Sequence, residues 1–362
     1  MLRVIRPEEA AEKAKSVREL FVTAEAIMLA RIAKALAEGR DEPDWANRKL
    51  NQLRTVMAGV DDTLAKVEND TPILVDQALY GAYLRGIATG GLQLKDVGLS
   101  AGALDGPQNT RAVVALVAET MGRLNPMIRL ISRTVRDVYQ QTITETAAQV
   151  LTGAQTRRDA SRDVLVKLTE RGVTGFKDAS DRNWEMASYA EMAVRTTATK
   201  AALQGQSDRL TELGLDLVIV SNAPEECNIC RPFEGKVLTL MGSSGGEVLR
   251  DGVTVYASLA EAQTRGLYHP NCRHSHTVYL PGITKAMTDT EDPEGDALRQ
   301  QQRAFERRIR ELKRRDAIDK EFGGPKAAET RGKLRAKQAE FADWREANGR
   351  KNLAYRMSIK NR

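Results

Sequence analysis

Every cysteine and every histidine of this chain lies between Cys227 and His276. The cysteines are Cys227, Cys230 and Cys272, and the histidines are His269, His274 and His276. Cys227-Asn228-Ile229-Cys230 is a C-x-x-C turn, and His269-Pro270-Asn271-Cys272-Arg273-His274 follows it some forty residues later. Zinc takes four soft or borderline ligands in a tetrahedron, and pairs spaced i, i+3 in tight turns supply them two at a time. A fold that uses both segments must bring them to one point. Three thiolates leave at least one position to histidine. His269 repeats the i, i+3 spacing with Cys272, whereas His274 shares a strand face with Cys272; His276 ranks third. The expected cofactor is one structural zinc on Cys227, Cys230, Cys272 and either His269 or His274.

Other readings of these residues are weaker. Separate buried cysteines and solvated histidines would not crowd into one window. An odd cysteine count with no visible signal peptide argues against a disulfide framework. A redox C-x-x-C would sit in a thioredoxin-like βαβ pattern, which is missing here. A catalytic zinc keeps an open position and a general base nearby, and four good ligands would close it. The nucleobase-deaminase signature wants H-x-E before its P-C-x-x-C, but no histidine precedes Pro224-Glu225-Glu226-Cys227. The crowding of His269, Asn271, His274 and His276 keeps a zinc-dependent nuclease as the alternative function. Once zinc has its share, too few groups remain for it, so no catalytic residue is assigned and the chain is not expected to be an enzyme.

Around this window the sequence reads as helix. Aromatics make up 5% of the 362 residues, against 41% hydrophobic overall. That balance favours Ala-rich helices packed along their lengths over an aromatic-lined pocket. Pro7 suits a first helical turn, with Glu8 and Glu9 at the positive end of the helix dipole, and the pattern runs to Gly39. A second helix is expected from Asp44 to about Glu68. A third opens at Thr71-Pro72 and stops at Gly90-Gly91. Residues 95–109 read as loop. Two helices follow over about 108–124 and 126–150, separated by Asn125-Pro126, and another covers about 156–171. Arg182 to Leu213 reads as one long helix, with Ala187, Ala190, Val194, Thr197 and Ala201 on one face. After Gly214 the texture becomes β-branched: Asp216–Ser221, Lys236–Leu240 and Thr277–Leu280 are strand-like, and Gly242–Gly246 is a flexible connector. The fold class is therefore mainly α, with long Ala-rich helices, one small β-rich zinc-knuckle module and a basic helical C-terminal tail. The expected domains are a helical region 1–150, connecting helices 151–214, the module 215–282 and the tail 283–362.

The net charge of +6 hides an asymmetry. Residues 297–362 hold 20 Lys and Arg against 9 Asp and Glu, a net of +11, and residues 1–296 carry −5. Charged helices usually lie solvated on their own protein. The functional reading is a phosphate-contacting arm, bound by counterion release and blind to sequence. Its candidates are Arg299, Arg303, Arg307, Arg308, Arg310, Lys313, Arg314 and Arg315, beside a narrow apolar stripe of Leu298, Phe305, Ile309 and Leu312. Without stacking aromatics for single strands, duplex DNA is the expected ligand. No apolar run is long enough to span a bilayer, and an intracellular soluble product is expected. No phosphate-binding loop of the G-x-x-x-x-G-K-[ST] type occurs.

The order of features carries a family likeness. It comprises Tyr189–Thr197 within a long helix, the strand 216–221 and the C-x-x-C. Arg231-Pro232-Phe233-Glu234-Gly235-Lys236-Val237 and Gly266-Leu267-Tyr268-His269-Pro270-Asn271-Cys272-Arg273-His274 complete it. This resembles the minor capsid, or head morphogenesis, proteins of tailed bacteriophages related to the minor head protein of phage Mu. The N-terminal helices, with Pro43-Asp44-Trp45-Ala46, look like minor capsid proteins of phages that infect actinobacteria. The resemblance implies a virion protein held inside the head near the portal vertex, made in the host cytoplasm and active in head assembly and genome packaging or delivery. It also implies the portal protein, the major capsid protein and packaged double-stranded DNA as partners, with no membrane. Relatives often carry Cys or His at the position of His274, which suits a ligand there.

Overall fold

The computed structural model describes the chain except for residues 1–2, 39–43, 103–108, 152–155, 157–158, 160–161, 164–165, 167–174, 178–182, 224, 226, 243–247, 251, 285–291, 323–324 and 360–362. Most of the helix expected at 156–171 and most of the Gly242–Gly246 connector fall outside the described residues. Helices dominate: α1 (Pro7–Lys13), α2 (Lys15–Ala37), α3 (Trp45–Asp96), α4 (Thr110–Leu151) and α5 (Met186–Glu212) precede the β-rich module. Strands β1 (Gly175–Lys177) and β2 (Asn183–Glu185) form a small antiparallel pair ahead of α5. The module contains β3 (Leu217–Val220), β4 (Val237–Thr239), β5 (Val248–Arg250), β6 (Val253–Ser258), the short helix α6 (Leu259–Thr264) and β7 (His276–Val278). The basic region forms α7 (Pro293–Phe322) and α8 (Pro325–Ala347).

Two sequence breaks prove to be interior positions. Pro72 lies inside α3 and Pro126 inside α4, so the expected helix ends at Glu68 and Leu124 are corrected. An internal proline loses one backbone bond and costs about 3 kcal/mol. Val67, Val75 and Leu79 are buried around the first, and Leu124, Ile128 and Ile131 around the second. Each such side chain contributes about 1.5–3 kcal/mol on burial, and the sum outweighs the lost bond. The chain separates into two compact units, and two of the five changes between them fall at Pro72 and Leu124, beside those two prolines.

The first unit comprises residues 1–17, 72–123 and 190–299. Here Gly90-Gly91 continues α3 instead of ending it, because glycine serves close packing. A Cβ on Gly86 would lie 1.8 Å from the Ala202 carbonyl oxygen, and one on Gly205 would lie 2.1 Å from that of Tyr83. Gly90 meets the Gln206 carbonyl in the same seam. Thus α3 and α5 run nearly backbone to backbone, and the small residues Ala190, Val194, Thr197 and Ala201 that sequence patterning places on one face of α5 are all buried, as is Ala187 of that face in the second unit. Helix α5 ends at Gly214, whose φ of 74° lets the Leu215 amide reach back to the Leu210 carbonyl at 2.9 Å.

The five-stranded sheet that follows has the order β5-β6-β4-β3-β7. Strand β3 pairs antiparallel with both β4 and β7, and β4 pairs parallel with β6. Ser258 and Glu261 form a reciprocal capping box that starts α6 immediately after β6. Polar groups behind the sheet are satisfied by Gln93, whose Oε1 accepts from the Val278 amide and from Gln206 Nε2.

The second unit comprises residues 18–71, 124–189 and 300–362. Phe21, Met28, Ile32, Val60, Ile131, Val135 and Tyr139 are among its buried residues. Helices α7 and α8 close on a separate cluster of Ile309, Phe341 and Met357, flanked by Phe305, Leu334 and Trp344. No helix among the described residues is long and apolar enough to cross a membrane.

Candidate metal centre and the basic helix

Two tight turns in the first unit carry the thiols and imidazoles. After β3, the Cys227 carbonyl accepts from the amides of Cys230 and Arg231 at 3.2 and 3.1 Å, folding C-x-x-C into a hairpin-like bend. That bend runs directly into a 310 turn, Arg231–Phe233, opened by Pro232. After α6, the Cys272 amide donates to the His269 carbonyl at 2.9 Å. Pro270 and Asn271, with φ of 69° at Asn271, have the residue types and handedness of a type II turn. Arg195 of α5 bonds the Asn271 side chain and fastens this turn to the helix.

The turns face one another. Cys227 Sγ lies 2.9 Å from His269 Nε2, Cys230 Sγ lies 3.4 Å from Cys272 Sγ, and Cys272 Sγ lies 3.4 Å from His274 Nδ1. Two overlapping ligand groups result, Cys227–Cys230–His269 and Cys230–Cys272–His274, with the buried Cys230 common to both. All five expected metal residues therefore meet. His276 does not join them. It is fully buried, its Nδ1 2.9 Å from the Tyr268 hydroxyl and its Nε2 3.1 Å from the Ser207 hydroxyl. Burial lowers its pKa to about 4, so it is a neutral core residue.

The electrostatics favour a thiolate at Cys272 and oppose one at Cys230. The hydrogen bond from Cys230 and the neighbouring His274 together hold Cys272 down to about 4, despite burial. The same bond, with burial, drives the Cys230 thiol upward. Three sulfurs and two imidazoles form a donor set of the softness zinc selects. Each histidine also has its second ring nitrogen engaged, His269 Nδ1 at 2.8 Å from the Pro270 carbonyl and His274 Nε2 at 2.6 Å from Glu234 Oε1. Sequence reading missed Glu234. Its only sequence cue is its place in the Pro-Phe-Glu-Gly turn, four residues past Cys230.

The eight cations singled out on the basic helix fall into different settings. Arg310 and Arg314 point inward. Arg310 reaches Glu185 at 2.7 Å and the Ser188 hydroxyl at 3.0 Å, and Arg314 bridges Glu185 and Glu25 at 3.0 and 2.8 Å. Lys313 donates to the Met357 carbonyl at 3.0 Å, and burial lowers its pKa. Arg299 pairs with Asp296 and lies 4.0 Å from Glu225. Arg303 and Arg315 meet Glu306 and Asp319 at 3.3 and 4.0 Å. Arg307 and Arg308 are exposed, Arg308 beside Glu311.

A family model described as phage minor capsid protein 2 matches residues 5–345, nearly the whole chain. No curated protein and no solved structure matches it.

Proposed function

Because the chain belongs to the phage minor capsid protein 2 family and so has a structural role in the virion, we propose that it works inside a tailed-phage head near the portal vertex. There it supports head assembly and the packaging or delivery of the genome, in contact with the portal and major capsid proteins. The observation that carries this reading is the reach of the match, which takes in both compact units. The experiment is a reconstruction of the particle without imposed symmetry, with the protein tagged. Density for the tag inside the head at one vertex is the expected result. Tag density spread over the outer shell or confined to the tail would overturn it.

The Cys227, Cys230, His269, Cys272 and His274 cluster holds one structural zinc in this reading, three thiolates and one imidazole closing the tetrahedron. What supports this is the convergence of five soft or borderline donors from two rigid turns. In this reading the metal cross-links the turn that follows β3 to the turn that precedes β7. Elemental analysis of the purified protein should give about one zinc per chain, as one tetrahedral site requires. A metal-free protein with an equally stable module would remove the zinc. A closed site also predicts no cleavage of DNA with added zinc, magnesium or manganese. Cleavage abolished by His274→Ala would put a nuclease in its place.

Contact with packaged duplex DNA belongs to the exposed cations of α7, Arg307 and Arg308 foremost. The inward-facing Arg310 and Arg314 serve the second unit instead.

A further inference from the structure

Resting on the metal reading above, with His274 as its imidazole ligand, we propose that Glu234 is a positioning residue of the centre: its carboxylate holds His274 by Nε2 and leaves Nδ1 as the atom that His274 presents to the cysteines.

The case begins with burial. The side chains of His274 and Glu234 are 1% and 6% exposed, and they meet at 2.6 Å. A carboxylate out of water is costly unless hydrogen-bonded and paired, so its placement there has a specific cause. Glu234 Oε1 also accepts from the Ala223 amide at 3.1 Å, while the buried Oε2 takes no hydrogen bond among the described residues. The His274 ring is therefore the one side-chain donor recorded on this carboxylate among the described residues.

The backbone makes the pairing rigid. Glu234 ends the 310 turn that begins at Cys230, and its own amide bonds the Arg231 carbonyl at 3.0 Å. The next residues close onto β3, with the Gly235 amide on the Val220 carbonyl at 3.1 Å. The carboxylate and the C-x-x-C bend are thus parts of one short, doubly anchored turn. His274 enters β7 from the opposite turn, and its ring spans the space between them. With Nε2 committed to Glu234, only Nδ1 can face Cys272, at 3.4 Å.

His269 has the reverse arrangement, presenting Nε2 while Nδ1 bonds a main-chain carbonyl. The two imidazoles thus offer different atoms and are held by partners of different charge. A carboxylate behind a ligating imidazole fixes ring orientation and raises ligand basicity, and its loss typically costs 10–100-fold in metal affinity.

The test uses full-length protein loaded with zinc, with affinity measured by chelator competition and ring states by nitrogen-15 NMR of the histidines. Wild type should show His274 protonated at Nε2. Glu234→Gln and Glu234→Ala should each bind zinc about 10–100-fold more weakly, and His274 should lose its single ring pattern while His269 keeps its own. Glu234→Asp, which retains the charge at shorter reach, should recover part of the affinity. Unchanged affinity with an unchanged His274 pattern in Glu234→Ala overturns the inference. Failure of the wild type to bind zinc overturns the metal reading beneath it, a separately visible outcome.

Discussion

Gly86 and Gly205 fix how closely α3 approaches α5, and their replacement tests that contact directly. A methyl at either position would penetrate a backbone carbonyl of the other helix, at 1.8 or 2.1 Å, and backbone cannot swing aside as a side chain can. Gly86→Ala and Gly205→Ala should each destabilise by about 3 kcal/mol or more, beyond the usual range of overpacking, seen as a fall in the thermal midpoint. Gly122 is the internal control. It is helical, exposed and open around its missing Cβ, so Gly122→Ala should stabilise by about 0.5–1 kcal/mol. A Gly86→Ala protein as stable as wild type would dissolve the seam. On the zinc reading proposed above, Cys230→Ser should weaken metal binding and destabilise the strands around residues 217–278, because the binding energy of a structural metal adds to the folding energy of the module that holds it. Amide exchange would show protection lost there and kept along α2. The cysteines and histidines were legible in the sequence because few residue types bind zinc, so their clustering carries meaning. The role of Glu234 was not, for although it stands in the Arg231–Val237 segment of the family likeness, one acid among many acquires a role only when its neighbour in space is known.

At the scale of elements, the sequence yielded the helical texture, α5 with its small-residue face, and three of the five central strands. It misplaced ends wherever a local stop signal competed with burial. Pro72 and Pro126 are strong breakers judged alone, but the apolar residues around each favour continuation. Strands β5 and β6 went unseen in the sequence, although β6 is longer than any of the three strands that were recognised. The role of α7 was also only half visible. Its charge could be counted, but its acid partners lie far off in sequence, Glu25 and Glu185 among them. These pairs predict a pH response. Burial raises the Glu185 carboxyl, but Arg310 and Arg314 outweigh it and the net shift is downward. A depressed carboxyl contributes its stability fully above the unfolded value of about 4.3 and loses it as pH falls through the lower folded value. Glu185→Gln should therefore lower the thermal midpoint at pH 7, and the gap between variant and wild type should narrow as pH falls below about 4. A gap that stays constant from pH 7 to pH 3 would mean that these pairs add nothing.

For the molecule as a whole, deleting residues 297–362 would confuse two effects, since that segment supplies both the positive charge and the inward arginines of the second unit. The cleaner variant is Arg307→Gln with Arg308→Gln, which removes two exposed charges and leaves Arg310 and Arg314 in place. Its thermal midpoint should stay near that of wild type. Its affinity for duplexes of unrelated sequence should fall, and the log–log salt slope should flatten by about 1.8 if both residues contact phosphate. An identical slope would move the contact elsewhere. A different consequence follows from the opposed turns at Cys227–Cys230 and His269–Cys272. Once they are joined, the chain between them leaves one point and returns to it. For the remainder of the protein it is a closed excursion, whose length is decoupled from the path on either side. Doubling such a loop adds only about 0.6 kcal/mol of closure entropy. Gly242 lies on that excursion, exposed, with nothing near its missing Cβ. A small folded domain inserted after it should leave zinc content unchanged, which makes this protein a carrier able to take a passenger without altering its own fastening.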